Sequence, residues 1–521
     1  MSKYFNNSGK KFLGITAALA LSLGLSACAT EEPTADPTAT SGGTSESSES
    51  AIMIAAIGGE PDQLDPHKTS SYFSFQVLEN IYDTLVEPDD NLEMVPALAE
   101  SWEISDDLLT WTFSLREGVT FHDGSDFTAD DVVYSYRRII DEALNPSWRF
   151  GAVTDIEAAD DYTVVITVGS PSPNLLANLG GYKGLAIVNE PNISSGDVIT
   201  KPVGTGPFMI QENVSGNYIK LAANPDYWGG APELDGLEFR FISEGSTALT
   251  ALRNGEIHWT DSIQPQDVAG LAGEAGIELG KLGSSDYWYL AMNQARAPWN
   301  DVKVRQAVAY AINREDITVA AMQGNATVNQ LAIPLSSNWA SDYSPFTTDL
   351  DKAKSLMEEA GVSGATMDLM VSSDYPETVT AAQVIGAQLA EIGITVNITT
   401  LDFSTWLAEQ AAGNFDMLMM GWLGNIDPDD FYFAQHHSTG WANAHKYNNP
   451  TVDALLEAGQ VETDTAARKQ NYADAAKIIA DEVSYLYLYN PDVVQAWSED
   501  VTGYVARGDR AIRFRDASLG Q

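Results

Sequence analysis

The chain has 521 residues, 73 of them acidic and 28 basic, which gives a formal net charge of −45 at pH 7. A field of that sign repels nucleic acids and anionic lipid headgroups, so the charge excludes both as partners. The single cysteine excludes an internal disulfide, and folding must therefore depend on the burial of apolar side chains. We interpret the acidic surface as a feature that keeps the protein soluble, and the alternative is that it recruits cationic ligands.

The first 27 residues have the pattern of a bacterial export signal. Lysines precede a short apolar run, residues 12–25, and two small residues follow it. The run is shorter than the roughly 20 residues that a membrane span needs. Cys28 comes next and resembles the lipidated residue of a bacterial lipoprotein, although a lone cysteine can also be a buried core thiol. We expect residues 1–27 to be removed and acyl chains on Cys28 to hold the protein at the outer face of a membrane.

A polar segment separates Cys28 from the rest of the chain. Residues 29–50 are rich in Thr, Ser, Pro, Gly and Glu and offer almost nothing to bury. Such a composition cannot repay the entropy of ordering, so residues 28–50 are predicted to be the lipidated cysteine and a flexible tether. The roughly 470 residues after the tether are enough for two or three domains.

From residue 51 onward, strand and helix patterns alternate along the chain. Residues 51–57 are predicted to form a strand, and the alternation of apolar and polar residues at 111–115 predicts another. Thr128 begins a predicted helix, because Asp131 completes a capping box with it. The other predicted elements are strands at 161–168, 237–242 and 394–400 and helices at 302–312 and 381–392. The mixture predicts an α/β chain without an internal repeat.

Several segments carry a family resemblance, and they occur in the family's order. They are PALAESW at 96–102, WTFSLREGVTFHDG at 111–124, TADDV at 128–132, PVGTGPF at 202–208, NPDYW at 224–228, DVKVRQAVAYAI at 301–312, and GW at 421–422 with DP at 427–428. These segments resemble the family 5 extracellular solute-binding proteins, the dipeptide- and oligopeptide-type receptors of ABC importers. The segments themselves are predicted to be scaffold turns. His122 is accordingly predicted to be a satisfied turn histidine rather than a catalytic or metal-binding one.

The resemblance implies the architecture. The expected fold is α/β and two-lobed, of the periplasmic-binding-protein-like type II, with an extra domain inserted in the first lobe. Lobe I would comprise residues 51–70, 187–289 and 492–521, the inserted domain residues 71–186, and lobe II residues 290–491. Two crossing segments would form a hinge between the lobes.

The resemblance also implies the function. A monomer would trap a small solute, a peptide in the first instance, between the lobes, and would deliver it to ABC permease subunits with cytoplasmic ATPases. A sugar, an opine, a nickel chelate or haem stays open as the solute, as does a sensor or adhesion role. No cofactor and no catalysis are required, and a secreted hydrolase is disfavoured because no Gly-x-Ser-x-Gly elbow occurs in the chain.

One loop contains the first candidates for binding the solute. In peptide-binding relatives an acidic residue of the loop after the Gly-Trp pair binds the ligand's α-amino group, which makes Asp427 the first candidate and Asp429 the second. The alternative is that Asp427 only begins a turn before its proline. Trp422 and Trp441 are candidate pocket walls, or else core residues.

Further candidates follow from position alone in the family's cleft. These are Ser70, Tyr72, Tyr289 and Asn293. No arginine stands out as a carboxylate partner, since Arg296 lies near the hinge side of lobe II and Arg305 is predicted to be structural. No metal site is predicted, because two adjacent imidazoles are not a usual ligand spacing and the residues around them predict a surface loop. The histidines concerned are His436, His437 and His445.

Overall fold

The computed structural model describes residues 51–181, 183–423 and 426–520. The predicted export signal, the predicted lipidation of Cys28 and the predicted tether therefore lie outside the described residues. No helix among the described residues is both long and apolar enough to cross a lipid bilayer.

The strands of the described residues form four sheets, of which one has twelve strands and another four. The strands are β1 Ile52–Ile57, β2 Val86–Pro88, β3 Met94–Pro96, β4 Ala99–Ile104, β5 Thr110–Leu115, β6 Val153–Asp160, β7 Thr163–Val168, β8 Phe208–Val214, β9 Tyr218–Ala223, β10 Gly236–Phe241, β11 Trp259–Thr260, β12 Ile277–Gly283, β13 Tyr287–Met292, β14 Ala326–Val328, β15 Ala365–Ser372, β16 Ile394–Leu401, β17 Met417–Trp422, β18 Tyr485–Ser498, β19 Val501–Thr502 and β20 Ser518–Leu519.

The helices occur between these strands, and many of them begin at an Asp or Asn whose side chain accepts a hydrogen bond from a first-turn amide, as at Asn313 and Asp402. The helices are α1 Tyr72–Leu78, α2 Ala129–Asp141, α3 Leu175–Gly180, α4 Glu190–Ser195, α5 Gly245–Arg253, α6 Val268–Leu271, α7 Val302–Ala311, α8 Arg314–Met322, α9 Leu350–Glu359, α10 Pro376–Ala390, α11 Phe403–Ala412, α12 Pro428–His436, α13 Pro450–Val461 and α14 Thr465–Asp481. Short 3-10 helices lie at Asn145–Phe150, Lys183–Leu185 and Asp197–Ile199.

The large sheet extends through two hydrophobic cores. Its strand order is β16-β15-β17-β13-β18-β11-β1-β10-β9-β8, and β12 and β14 also pair with β18. The first half of β18 pairs with β13 and β14, while its second half pairs with β11 and β12. One core gathers side chains from residues 287–489, and the other core packs β1 and β10 against the C-terminal tail. The predicted α/β class with two lobes is therefore confirmed.

Two segments cross from one lobe to the other. They are the connection between β12 and β13 and the middle of β18, and hydrogen bonds join them side by side. The amide and the hydroxyl of Ser284 both donate to the carbonyl of Pro491, at 3.2 and 2.6 Å. The Asn490 amide donates to the carbonyls of Asp286 and Ala332. A narrow two-stranded connection of this kind can act as a hinge.

A separate four-stranded antiparallel sheet, ordered β4-β5-β7-β6, packs with α2 around its own core. That core begins at Leu85 and ends at Ile187, whereas residues 75–82 contribute to the core of the first lobe. We call residues 85–187 the inserted domain. The boundaries given from the sequence, at residues 70/71, 186/187, 289/290 and 491/492, stay a prediction.

The predicted elements agree with the observed ones to within a few residues. Thr128 and Asp131 form the predicted capping box, in which the Thr128 amide donates to the Asp131 carboxylate at 2.9 Å. The helix predicted at 381–392 begins earlier, at Pro376, because proline fits the first turn of a helix. His122 lies within hydrogen-bonding distance of the Gly206 carbonyl, at 2.9 Å, as expected of a satisfied turn histidine. The Arg305 guanidinium donates to backbone carbonyls, which is the predicted structural role.

The prediction that His436, His437 and His445 lie in a surface loop is wrong, because all three are buried. His436 ends α12 and is fully buried, with its ring nitrogens 2.8 Å from the Ser484 hydroxyl and 2.7 Å from the Tyr487 hydroxyl. His445 is also buried and lies 2.9 Å from the same Ser484 hydroxyl. Local composition suggested exposure, but β18 covers this segment. Burial lowers the pKa of His436 to about 3, so the ring is neutral in the folded protein.

Ion pairs hold the C-terminal tail to the start of the inserted domain. Arg513 and Arg515 contact the two carboxylate oxygens of Glu87 at 2.8 and 2.7 Å. Burial raises the pKa of Glu87, but Arg513, Lys183 and Arg515 outweigh it and lower the pKa to about 2. The carboxylate is therefore charged at neutral pH, and its ion pairs stabilise the fold.

We predict that Glu87→Gln lowers the free energy of unfolding by about 3 kcal/mol at pH 7, because it removes the buried carboxylate shared by Arg513 and the partly exposed Arg515. Because the pKa of Glu87 is lower in the folded protein, its carboxylate contributes fully to the free energy of unfolding above its unfolded pKa, near 4.5. This contribution is lost as the pH falls towards about 2. Denaturant titrations at pH 7 and pH 3 should show a smaller deficit at pH 3. Glu117→Gln, at an exposed position, is the control, and an equal loss in both variants would contradict the prediction.

Candidate functional site

Polar side chains from both lobes meet beside the two crossing segments. The first lobe contributes Tyr72, Gln76, Asp261 and Arg510, the crossing segment contributes Asp286, and the second lobe contributes Tyr375 and Glu377 from the start of α10. We call these seven residues the hinge cluster. Because groups from both lobes act on one another there, the cluster is a candidate for contact with a bound molecule.

Direct contacts join the cluster within the first lobe and to the hinge. The Tyr72 hydroxyl and the Gln76 amide both donate to Asp261 Oδ2, at 3.0 and 2.7 Å. Arg510 Nε donates to Asp286 Oδ2 in a close ion pair, in which the aspartate side chain is fully buried and the arginine side chain 24% exposed. This pair ties the C-terminal tail to the crossing segment and leaves part of the guanidinium accessible.

The electrostatics of the cluster reflect burial and excess negative charge. Burial raises the pKa of Asp261, and the hydrogen bond from Tyr72 and the charge of Arg510 only partly offset it. Burial likewise raises the pKa of Glu377, against the charge of Arg510. Burial, together with Glu377, raises the pKa of Tyr375 to about 12. Arg510 is thus the cation that acts on each of these groups.

The predicted ammonium partner, Asp427, has a partner of its own in the structure. It precedes α12 as the N-cap, and its side chain accepts from the Asp429 amide at 2.9 Å. Both of its carboxylate oxygens also accept from Arg468, at 2.6 and 2.8 Å, in a buried bidentate pair. The predicted turn before Pro428 is present, and the Arg468 pair already neutralises the carboxylate. We therefore do not assign Asp427 to the solute.

Asp429 and Asp430, on the first turn of α12, contact the inserted domain. Asp429 accepts from the Tyr472 hydroxyl at 2.9 Å, from Gln460 at 3.1 Å and from Asn174 at 3.4 Å. Asp430 pairs with Arg149 at 3.3 Å. Burial, and then the charge of Asp427, raises the pKa of Asp429 to about 7. The second candidate is thus buried in a contact between the inserted domain and the second lobe.

The two predicted tryptophans lie next to each other at the same contact. The ring centroids of Trp422 and Trp441 are 5.7 Å apart, and Trp148 of the inserted domain lies 6.0 Å from Trp441. Trp441 is 61% exposed, which gives it ring surface to offer to another molecule. Trp422 is half-buried and packs against the core of the second lobe.

The remaining candidates separate into two groups. Tyr72 belongs to the hinge cluster, and Ser70 is exposed two residues before it. The structure does not bring Tyr289 or Asn293 to this place. Tyr289 is buried in the core of the second lobe, and its ring is stacked on that of Tyr485 with the centroids 4.0 Å apart. Asn293 is also buried, and its side-chain amide donates to the carbonyls of Gly413 and Phe415.

Sequence reasoning missed the charged residues that define both places. Arg468 and Arg510 lie 41 and 224 residues from the aspartates that they contact, so no local pattern indicates the pairing. The signal available for Arg510 is the concentration of arginines in the tail, at 507, 510, 513 and 515. The sequence contains no comparable signal for Glu377, because this residue stands in the first turn of a helix, where an acidic residue is common.

Comparison with known proteins places this architecture in a family. Residues 93–443 match the bacterial extracellular solute-binding proteins, family 5 Middle. Glutathione-binding protein GsiB of Salmonella paratyphi A is 30% identical over 487 residues, covering 90% of this chain and 94% of that protein. The match extends over nearly the whole length of both chains.

Solved structures agree with the fold. The ABC transporter-associated periplasmic binding protein DppA from Helicobacter pylori, in complex with peptide STSA, superposes with a TM-score of 0.82 at 30% identity, covering 91% of this chain and 98% of that one. AgaA from A.tumefacien, in complex with agropinic acid, superposes with a TM-score of 0.81 at 27% identity, covering 90% and 99%. These likenesses confirm the predicted type II fold and the prediction that the chain is not an enzyme. The chain belongs to the family 5 bacterial extracellular solute-binding proteins.

Proposed function

We propose that this protein captures a small peptide between its two lobes and delivers it to the permease subunits of an ABC importer with cytoplasmic ATPases. The observation that carries the proposal is the full-length likeness to a glutathione-binding protein and to a structure that holds a peptide. The hinge cluster between the lobes supports it, because it offers polar groups from both sides. The protein would act as a monomer, since one chain contains both lobes.

Capture in such a fold is a change between an open and a closed arrangement. A solute that touches both lobes binds the closed arrangement more tightly, and this difference shifts the population towards closure. The contacts of Asp429 with Asn174, and of Asp430 with Arg149, join the inserted domain to the second lobe and would be made on closing. The exposed ring of Trp441 lies beside these contacts and would pack against the solute.

The raised pKa of Asp429 makes a prediction about stability and pH. The folded protein keeps the Asp429 proton up to about pH 7, whereas an unfolded aspartate releases it near pH 4. Between these values the folded state binds more protons, so this group's contribution to stability falls as the pH rises. We predict that Asp429→Asn becomes progressively more stable than the unmodified protein between pH 5 and pH 8.

Denaturant titrations at both pH values measure this effect. Asparagine keeps an oxygen for the amides of Asn174 and Gln460, so the substitution changes the charge more than the contacts. Asp106→Asn, at an exposed position of the inserted domain, is the control. If the free energy of unfolding changes with pH in the same way for Asp429→Asn and the unmodified protein, the raised pKa of Asp429 is contradicted.

The lipid anchor is part of the proposal and has its own test. Cys28 follows an export-signal pattern, and the segment after it has the composition of a tether. We predict that Cys28→Ser moves the protein from the membrane fraction to the soluble fraction of cells that express it. A variant that stays with the membranes would show that something other than Cys28 anchors the protein.

The choice of solute is tested by thermal unfolding of the intact chain. A ligand that binds only the folded state raises the melting temperature by mass action. We expect glutathione or alanine peptides of two to five residues to raise it. A rise with agropinic acid alone would favour the second candidate, an opine, which the likeness to AgaA supports. A rise only with oligosaccharides or a nickel–histidine complex would contradict the peptide proposal.

A further inference from the structure

The carboxylates of the hinge cluster are incompletely neutralised. Asp286 pairs directly with Arg510, and the side-chain hydrogen bonds that Asp261 receives come from the neutral donors Tyr72 and Gln76. No ion pair joins Glu377 to another side chain in the described part of the chain. Asp261 on the first lobe and Glu377 on the second therefore both lie within the electrostatic reach of the guanidinium that pairs with Asp286.

Two buried oxygen atoms at the cluster have no hydrogen-bond partner among the described residues. One is Gln76 Oε1, whose amide nitrogen binds Asp261, so the free oxygen lies at the same carboxylate. The other is the hydroxyl of Tyr489, which lies within the electrostatic reach of Glu377. Both side chains are only 1% exposed. Buried polar atoms without partners are rare in folded proteins, and these two can accept from an N–H donor.

The aromatic rings around Glu377 form a wall on the second-lobe side. Trp288 lies 5.8 Å from Tyr375 and 6.4 Å from Tyr489, measured between ring centroids. Tyr375 precedes α10 and stands two residues before Glu377. A cation held between carboxylates and aromatic rings gains both charge attraction and cation–π contact.

We infer that the hinge cluster is a subsite for a cationic side chain of the solute, an ammonium or a guanidinium group separate from the α-amino group, and that the protein therefore selects basic solutes. The inference rests on the proposed capture of a solute between the lobes and adds the chemistry of that solute. The cation would contact Asp261 and Gln76 on the first lobe and Glu377 and Tyr489 on the second. It would thus favour the closed arrangement by binding both sides.

The test compares matched probes by calorimetric titration of the intact chain. The probes are alanine tripeptides with one lysine at the first, second or third position, the same peptides with norleucine in its place, and agmatine. Norleucine keeps the apolar stem and removes the charge. We expect at least one lysine peptide to bind at least tenfold more tightly than its norleucine counterpart.

Substitutions assign that preference to the cluster. Glu377→Gln should abolish the preference for lysine over norleucine, whereas Glu391→Gln, an exposed acid just after the same helix, should retain it. Asp261→Asn keeps an oxygen that can accept from Tyr72 and Gln76. If Glu377→Gln fails to fold, the lysine preference of Asp261→Asn tests the cluster instead. Melting temperatures report the folding of each variant.

The outcomes separate this inference from the proposed function. If norleucine peptides bind as tightly at every position, or if the preference persists in both cluster variants, the cation subsite is overturned and the peptide receptor stands. If no tripeptide binds, the peptide proposal fails and agmatine decides: binding that Glu377→Gln abolishes supports the subsite, and absence of binding overturns it.

Discussion

The continuity of one strand governs the architecture of this protein. β18, Tyr485–Ser498, pairs with the sheet of the second lobe along its first half and with the sheet of the first lobe along its second half. Both cores depend on it, because its side chains are buried almost throughout. The only other crossing segment among the described residues, between β12 and β13, is hydrogen-bonded to it. The lobes are therefore joined by a narrow connection, which is a requirement for closure around a solute.

The acidic character of the chain has different consequences at different places. On the surface it keeps the protein soluble, as a net charge of −45 would. At Glu87 it serves the fold, because arginines of the tail neutralise the buried carboxylate. The carboxylate of Asp427 caps the N-terminus of α12 and forms an ion pair with Arg468. At the hinge cluster Arg510 faces carboxylates of both lobes, and we propose that a cation of the solute binds there.

The fold was largely predictable from the sequence, whereas the site was predictable only in part. Strands and helices follow local periodicity, and a capping box such as that of Thr128 and Asp131 is a local signal as well. The ion pairs of Asp427 and Asp286 depend on arginines far away in the chain, which no local pattern indicates. The error at His436 has the same origin, because β18 buries a segment whose own composition is that of a loop. Tyr72 was found by position, but its partner Asp261 was not.

The central claim is that the two lobes close around the solute, and small-angle X-ray scattering of the intact chain tests it most directly. The account predicts that a peptide that raises the melting temperature also lowers the radius of gyration at saturation, because the bound state is the closed one. Binding detected by calorimetry with an unchanged radius of gyration would contradict it.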